Sequence, residues 1–234
     1  MARVLLVEDD QHIAGIIQYY LAQNSAYKTD HVADAPTALA AVRERKYDII
    51  LLDIMLPEVD GIELCSQMRK SLFCPIIFIS CIGDDKTIIE ALHMGGDDYL
   101  IKPFTCEILH AHMEANLRRM LREKHFPPAT LEVHGLLLDS ATHSIVKEGI
   151  RLELSPIEYN ILHLLMEHPD THFTLEHIYE LIWDRPSLGD SRTVMVHIHN
   201  LRKKIEDDMG RPTFICSARG KGYYFSAGND TRSQ

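Results

Sequence analysis

Five short aliphatic runs, each about one strand long, alternate with helix-length segments over the first 120 residues, and no other feature restricts the fold of this chain so tightly. The runs are RVLLV, KTDHV (the weakest), DIILL, PIIFI and DYLI. Residues 11 to 22, 35 to 45, 61 to 71, 85 to 94 and 105 to 121 carry apolar residues at helical spacing. Runs that are aliphatic throughout belong to strands covered on both faces, and their alternation with helices is the pattern of a mostly parallel sheet. The expectation is an α/β unit of five strands and five helices, doubly wound.

The pattern stops at LREKHFPPAT, where charge is followed by Pro127 and Pro128, which break both helix and strand ladders. This predicts a linker over 122 to 129 between a first domain, 1 to 121, and a second, 130 to 234. Past the prolines, short strand-like pieces joined by Gly and Asp-Ser turns predict an antiparallel sheet. Helical periodicity follows over about 156 to 168, 174 to 183 and 190 to 207, and TFICSARGKGYYF reads as a hairpin turning at 219 to 222. The second domain is expected to be α+β.

Composition narrows the setting. With 46% hydrophobic and 25% charged residues, the 234-residue chain reads as soluble and globular. No apolar run nears the roughly 18 residues of a membrane span, and MARVLLVEDD turns acidic too early for a signal peptide, so a cytoplasmic protein without a membrane partner is expected. Five cysteines without a CxxC pair suggest reduced thiols, with Cys81 a minor redox candidate. The net charge of −10 hides a local reversal: residues 192 to 221 hold seven Lys or Arg against three acids.

The strand ends carry the chemistry. RVLLV runs into Glu8, Asp9 and Asp10, DIILL into Asp53, PIIFI into Ser80, and DYLI into Lys102. In an open parallel sheet, ligands sit beyond the carboxyl ends of the strands, where strand order reverses. Carboxylates crowded there repel unless a cation joins them, and oxygen-only donors favour a hard ion such as Mg²⁺. An ammonium, a hydroxyl and a metal beside a carboxylate suit a phosphoryl group held on an aspartate.

VLLVEDD, DIILLDIMLPEVDGIEL, FIS and GGDDYLIKPF together resemble the receiver domain of two-component response regulators, a five-stranded flavodoxin-like fold, over residues 2 to about 121. The resemblance implies that Asp53 is the phosphoacceptor. Glu8, Asp9, Asp53 and the Met55 carbonyl would hold Mg²⁺, and Ser80 and Lys102 would contact the phosphoryl oxygens. Tyr99 would act with Ser80 as the activation switch, the Lys102-Pro103 bond would be cis, and a sensor histidine kinase would be the donor. Beyond self-catalysed phosphotransfer to Asp53 no enzymatic activity is expected. A hydrolase working through an aspartyl phosphate would want a second acid where Met55 stands. A regulator of the same architecture that needs no phosphate is the other rival.

In the second domain, Val194, Ile198, Leu201 and Ile205 form a helical core stripe, and stepping about 100° per residue puts Arg192, Val196, His199, Asn200 and Lys203 opposite it. Such a face suits the major groove, while Arg219 and Lys221 on a Gly-flanked turn suit a minor groove. LSPIEYNILHLLMEHPD, IYELIWD, SRTVMVHIHNLRKKI and RGKGYYF resemble the winged helix-turn-helix effector of the OmpR/PhoB subfamily, over about 130 to 226. That implies a dimeric transcription factor on direct-repeat promoter sites, with Lys204 among its DNA contacts and the loop 184 to 191 facing RNA polymerase. Met195 and Asn200 depart from the Asp and Arg usual in the family. The receiver face that usually forms the homodimer through three ion pairs would here pair Ile88 with Ile108, Asp98 with His112 and Asp97 with Arg119.

Overall fold

The computed structural model describes residues 1–124, 130–183 and 192–228. The chain divides into two compact units, the first Met1–Met120 and the second starting at Leu121.

The first unit is a parallel sheet built from β1 (Ala2–Val7), β2 (Tyr27–Val32), β3 (Ile49–Leu52), β4 (Ile76–Ser80) and β5 (Asp98–Ile101), in the order β2-β1-β3-β4-β5. Strand order reverses at β1, which lies between β2 and β3. Between the strands run α1 (Gln11–Ala22), α2 (Ala35–Glu44), α3 (Gly61–Arg69) and α4 (Asp85–His93), and α5 (Cys106–Lys124) follows β5. Side chains alternate across the sheet, so each central strand feeds two cores. Val4, Leu6, Ile49, Leu51, Ile77 and Ile79 pack with Ile17 and Leu21 of α1 and Leu109 and Met113 of α5. Leu5, Val7, Ile50, Leu52 and Phe78 pack on the other face with Ala38, Leu64, Met68 and Ala91. Each such aliphatic side chain contributes about 1.5–3 kcal/mol when fully buried. Edge strand β2 is mostly half-buried, which is why YKTDHV reads weakly as a strand.

Aspartates start four of these helices. Asp10, Asp34, Asp60 and Asp84 each accept backbone N–H groups of the first turn, satisfying donors that have no partner inside the helix. At the other end, α5 continues to Lys124, three residues into the expected linker. Arg122, Glu123 and Lys124 are good helix formers, and the charge there does not break the helix as the prolines do. Residues 125–129, the rest of that linker, lie outside the described residues.

The second unit opens with an antiparallel sheet of β6 (Thr130–Val133), β7 (Leu136–Asp139), β8 (Ser144–Lys147) and β9 (Ile150–Glu153), paired in chain order. Then come α6 (Pro156–Glu167), α7 (Leu175–Trp183), α8 (Arg192–Ile205) and the hairpin β10 (Ile215–Ala218) with β11 (Gly222–Phe225). A capping box between Ser155 and Glu158 starts α6. Trp183 stacks on Tyr179 with ring centres 4.8 Å apart and is fully buried, with the ring of His197 on α8 6.2 Å away. Tyr223 bridges the hairpin to Phe173, and the preceding Gly222, at φ 99, lies so close that a Cβ there would stand 2.0 Å from the Phe173 carbonyl oxygen. The fold class expected from the sequence is therefore the one found. No helix among the described residues is long and apolar enough to cross a membrane.

Candidate functional site

Parallel register brings the polar strand ends to one edge. Val7 lies beside Leu52, Leu52 beside Phe78, and Ser80 beside Ile101, so the residues following these strands meet. The Asp53 N–H donates to the Val7 carbonyl at 2.9 Å and the Lys102 N–H to the Ser80 carbonyl at 2.8 Å. The Lys102-Pro103 bond is cis.

The Lys102 ammonium donates to Glu8 Oε2 and to Asp53 Oδ2, both at 2.7 Å. Glu8 is 1% exposed and Asp53 5%. Asp9 is exposed, yet carboxylate oxygens of Glu8, Asp9 and Asp53 lie within 4.8 Å of one another. One ammonium among several carboxylates cannot neutralise them all. Burial pushes the Glu8 carboxyl up to about 7, a rise that Lys102 partly offsets and the Asp53 charge reinforces. Burial also works against the Lys102 charge, but its two carboxylate partners outweigh it and hold its pKa above the ordinary value. Asp10, the third acid of the run, is engaged elsewhere: its side chain accepts from the N–H groups of His12 and Ile13 as the α1 cap.

Around this centre, the Met55 N–H donates to Asp53 Oδ1 at 3.1 Å. Ser80 is buried, and its Oγ accepts the Ile82 N–H at 3.3 Å. The Tyr99 hydroxyl donates to the Ile82 carbonyl at 2.6 Å, with its half-buried ring beside Phe78. Ile82 thus touches both expected switch residues, a link that the sequence does not signal. Gly61 was also missed: a Cβ there would sit 2.0 Å from the Asp53 carbonyl oxygen, so this position admits only glycine beneath the acidic loop. Its signal was present as the glycine directly after the Asp60 cap.

The expected dimer-face residues are not all on a surface. Asp97 is fully buried, its carboxylate held by the Arg69 guanidinium and by the Ile76 N–H at 2.8 Å, so it cannot reach across a subunit boundary to Arg119. Asp98, His112 and Arg119 are buried inside the unit as well. His112 Nδ1 lies 2.8 Å from Asp98 Oδ2, and Arg119 donates to Asn116, which itself donates to Asp98. Ile108 is 46% exposed and Ile88 half-buried.

In α8, Arg192, His199 and Lys203 are exposed as expected, but Val196 and Asn200 are buried, at 6% and 7%. A single apolar stripe underestimates the covered arc, because α6 and α7 both pack on this helix. The exposed ridge is Arg192, Met195, His199 and Lys203. Lys204 is turned back into the domain, donating to the Glu153 carbonyl and to Glu158 Oε2 at 2.6 Å. Arg219 and Lys221 are exposed on the β10–β11 turn. The loop 184 to 191 lies outside the described residues. The cysteines are unpaired, and burial pushes the Cys65 and Cys74 thiols up to about 12.

Comparison with known proteins agrees with both halves. The chain matches the response regulator receiver domain family over residues 4–114 and the family described as transcriptional regulatory protein, C terminal, over 149–225. It is 40% identical over 229 residues to the uncharacterized transcriptional regulatory protein YrkP of Bacillus subtilis (strain 168), covering 96% of this chain and 98% of that one. The DNA-binding response regulator MtrA of Mycobacterium tuberculosis (strain ATCC 25618 / H37Rv) is 34% identical over 221 residues, with 94% and 95% covered. A solved RitR mutant aligns over 97% of this chain and 100% of its own, with a TM-score of 0.82 and 25% identity. DrrB, described as a Thermotoga maritima OmpR/PhoB homolog, aligns over 97% and 99% with a TM-score of 0.50 and 28% identity. The chain belongs to the OmpR/PhoB family of DNA-binding response regulators.

Proposed function

We propose that Asp53 receives a phosphoryl group from a sensor histidine kinase and that the acyl phosphate increases dimerisation and promoter binding. The observation that carries this is the Glu8–Lys102–Asp53 arrangement, an ammonium 2.7 Å from each of two buried carboxylates at the open edge of the sheet. An Asp53 carboxylate oxygen attacks phosphorus as the bond to the donor's histidine nitrogen breaks, and that nitrogen keeps the electron pair. Lys102 then follows the charge from the carboxylate to the phosphoryl oxygens, and the Ser80 hydroxyl serves as a donor to them. The oxygen-only cluster of Glu8, Asp9 and Asp53 suits Mg²⁺, with the Met55 carbonyl as a further ligand. Bound there, Mg²⁺ supplies positive charge against the phosphoryl oxygens. Ser80 and Tyr99, joined through Ile82, carry the change of state.

On this reading residues 1 to 121 form the receiver and those from 130 onward the effector. Homodimerisation uses the face of α4, β5 and α5, where Ile89, Ile101 and Ile108 are 38%, 44% and 46% exposed. DNA is read by Arg192 and His199 in the major groove, with Lys203 on the adjoining phosphates, and by Arg219 and Lys221 in a flanking minor groove. Direct-repeat sites and RNA polymerase complete the output. The test is phosphorylation with acetyl phosphate and Mg²⁺ on wild type and Asp53→Asn, read with dimer fraction and DNA affinity. Asp53-dependent label that raises both is expected; label retained by Asp53→Asn overturns the assignment.

A further inference from the structure

Recognition by a helix and a hairpin together needs the two held at one angle. Residues 207 to 211, which lead from the end of α8 towards the hairpin, are all exposed. What joins the two elements is Glu206, directly after α8 and 9% exposed. Its Oε1 accepts the N–H groups of Phe214 and Ile215 at 3.0 and 2.8 Å, and its Oε2 those of Thr213 and Phe214 at 2.7 and 3.2 Å, with the Thr213 hydroxyl at 3.2 Å. One helical turn earlier, Arg202 Nε donates to the Ile215 carbonyl at 2.9 Å, and its guanidinium lies 5.4 Å from the Tyr223 ring centre on the opposite strand. Arg202 in the last turn of α8 and Glu206 directly after it therefore grip the carbonyl and the N–H of Ile215, the first residue of β10.

We propose that Glu206 is a positioning residue for DNA recognition, fixing the β10–β11 hairpin relative to α8 so that Arg219 reaches the groove beside the one α8 reads. The proposal rests on the DNA reading given above. Burying a carboxylate is costly, and an apolar side chain would fill the same space; three consecutive backbone N–H groups on one carboxylate give direction rather than bulk. The lever is long enough to matter. Arg219 is four residues beyond Ile215, about 13 Å along an extended strand, so a rotation of about 10° at the clamp moves the tip by about 2 Å. That is most of a hydrogen-bond length.

The experiment is a double-mutant cycle on full-length protein with a duplex selected from a randomised pool by the wild type. Glu206→Gln keeps the shape but sets an amide N–H against backbone N–H groups. Arg219→Ala alone is expected to lower affinity about tenfold. In the Glu206→Gln background the same change should cost less than threefold, and minor-groove hydroxyl-radical protection should be lost while major-groove protection persists. An equal cost of Arg219→Ala in both backgrounds overturns the proposal, because a residue that only stabilises the fold leaves that cost unaltered. If Arg219→Ala costs nothing in the wild type, the reading of the hairpin as a DNA contact falls first, and the proposal with it. Should Glu206→Gln fail to fold, the cycle is run with Arg202→Lys, which keeps the charge and loses the directed bond to Ile215; the same two outcomes decide.

Discussion

Glu8→Gln should make the metal-free protein more stable at pH 8, although it removes a residue of the phosphoacceptor site. The folded state holds the Glu8 proton up to about 7, against 4.5 for an ordinary glutamate. Between those values the folded chain keeps a proton that the unfolded chain releases, so stability falls as pH rises from 4.5 to 7 and stays low above it. The span corresponds to about 3 kcal/mol at pH 8, and it shrinks to a few tenths of a kcal/mol by pH 4.5. Gln carries no such penalty and can still accept from Lys102. The melting temperature of the receiver in EDTA should therefore rise by on the order of 10 °C at pH 8 in the variant, and hardly at all at pH 4.5. Saturating Mg²⁺ should reverse the ranking, since the cation stabilises whichever chain binds it and the variant has lost a carboxylate. Thermal denaturation by circular dichroism at the two pH values, with and without Mg²⁺, reads all of this. A variant no more stable than wild type at pH 8 in EDTA would refute the account of Glu8 as a strained carboxylate. Equal Mg²⁺ stabilisation of both proteins would refute its part in the metal site.

Three further predictions concern the second domain. Lys203→Ala should weaken DNA binding about equally for all sequences and reduce the salt slope by about one, whereas buried Asn200→Ala should lower the melting temperature through a loss of about 1–3 kcal/mol; filter binding across salt concentrations and thermal denaturation separate the two, and a sequence-selective loss confined to Asn200→Ala with unchanged melting would restore it as a base reader. Gly222→Ala should destabilise the hairpin and its bridge to Phe173, with a lower melting temperature and loss of DNA affinity, because both φ 99 and a 2.0 Å approach exclude a Cβ; an unaltered melting curve would contradict this.

How much of the molecule was legible depends on whether the deciding partner is local. β3 and β4 could be read directly, because strands buried on both faces must be aliphatic throughout, and the carboxylate, hydroxyl and ammonium after the strands then meet by register alone. The acids that misled do so for one reason. Asp97 and Asp98 are neighbours of the same type, but the first turns towards Arg69, 28 residues earlier, and the second towards His112 on α5. Glu206, Asp207 and Asp208 count equally as three acids in the sequence, yet only Asp207 and Asp208 are exposed, while Glu206 meets a strand that begins nine residues later. The same holds for Val196 and Asn200, whose burial is set by two helices packing on α8 and not by the period of α8 itself. Periodicity reports one apolar stripe, and a helix held between two others needs more than one. In both units the departures therefore fall on side chains whose partners lie on another element, Asp97 and Asp98 in the first and Val196, Asn200 and Glu206 in the second.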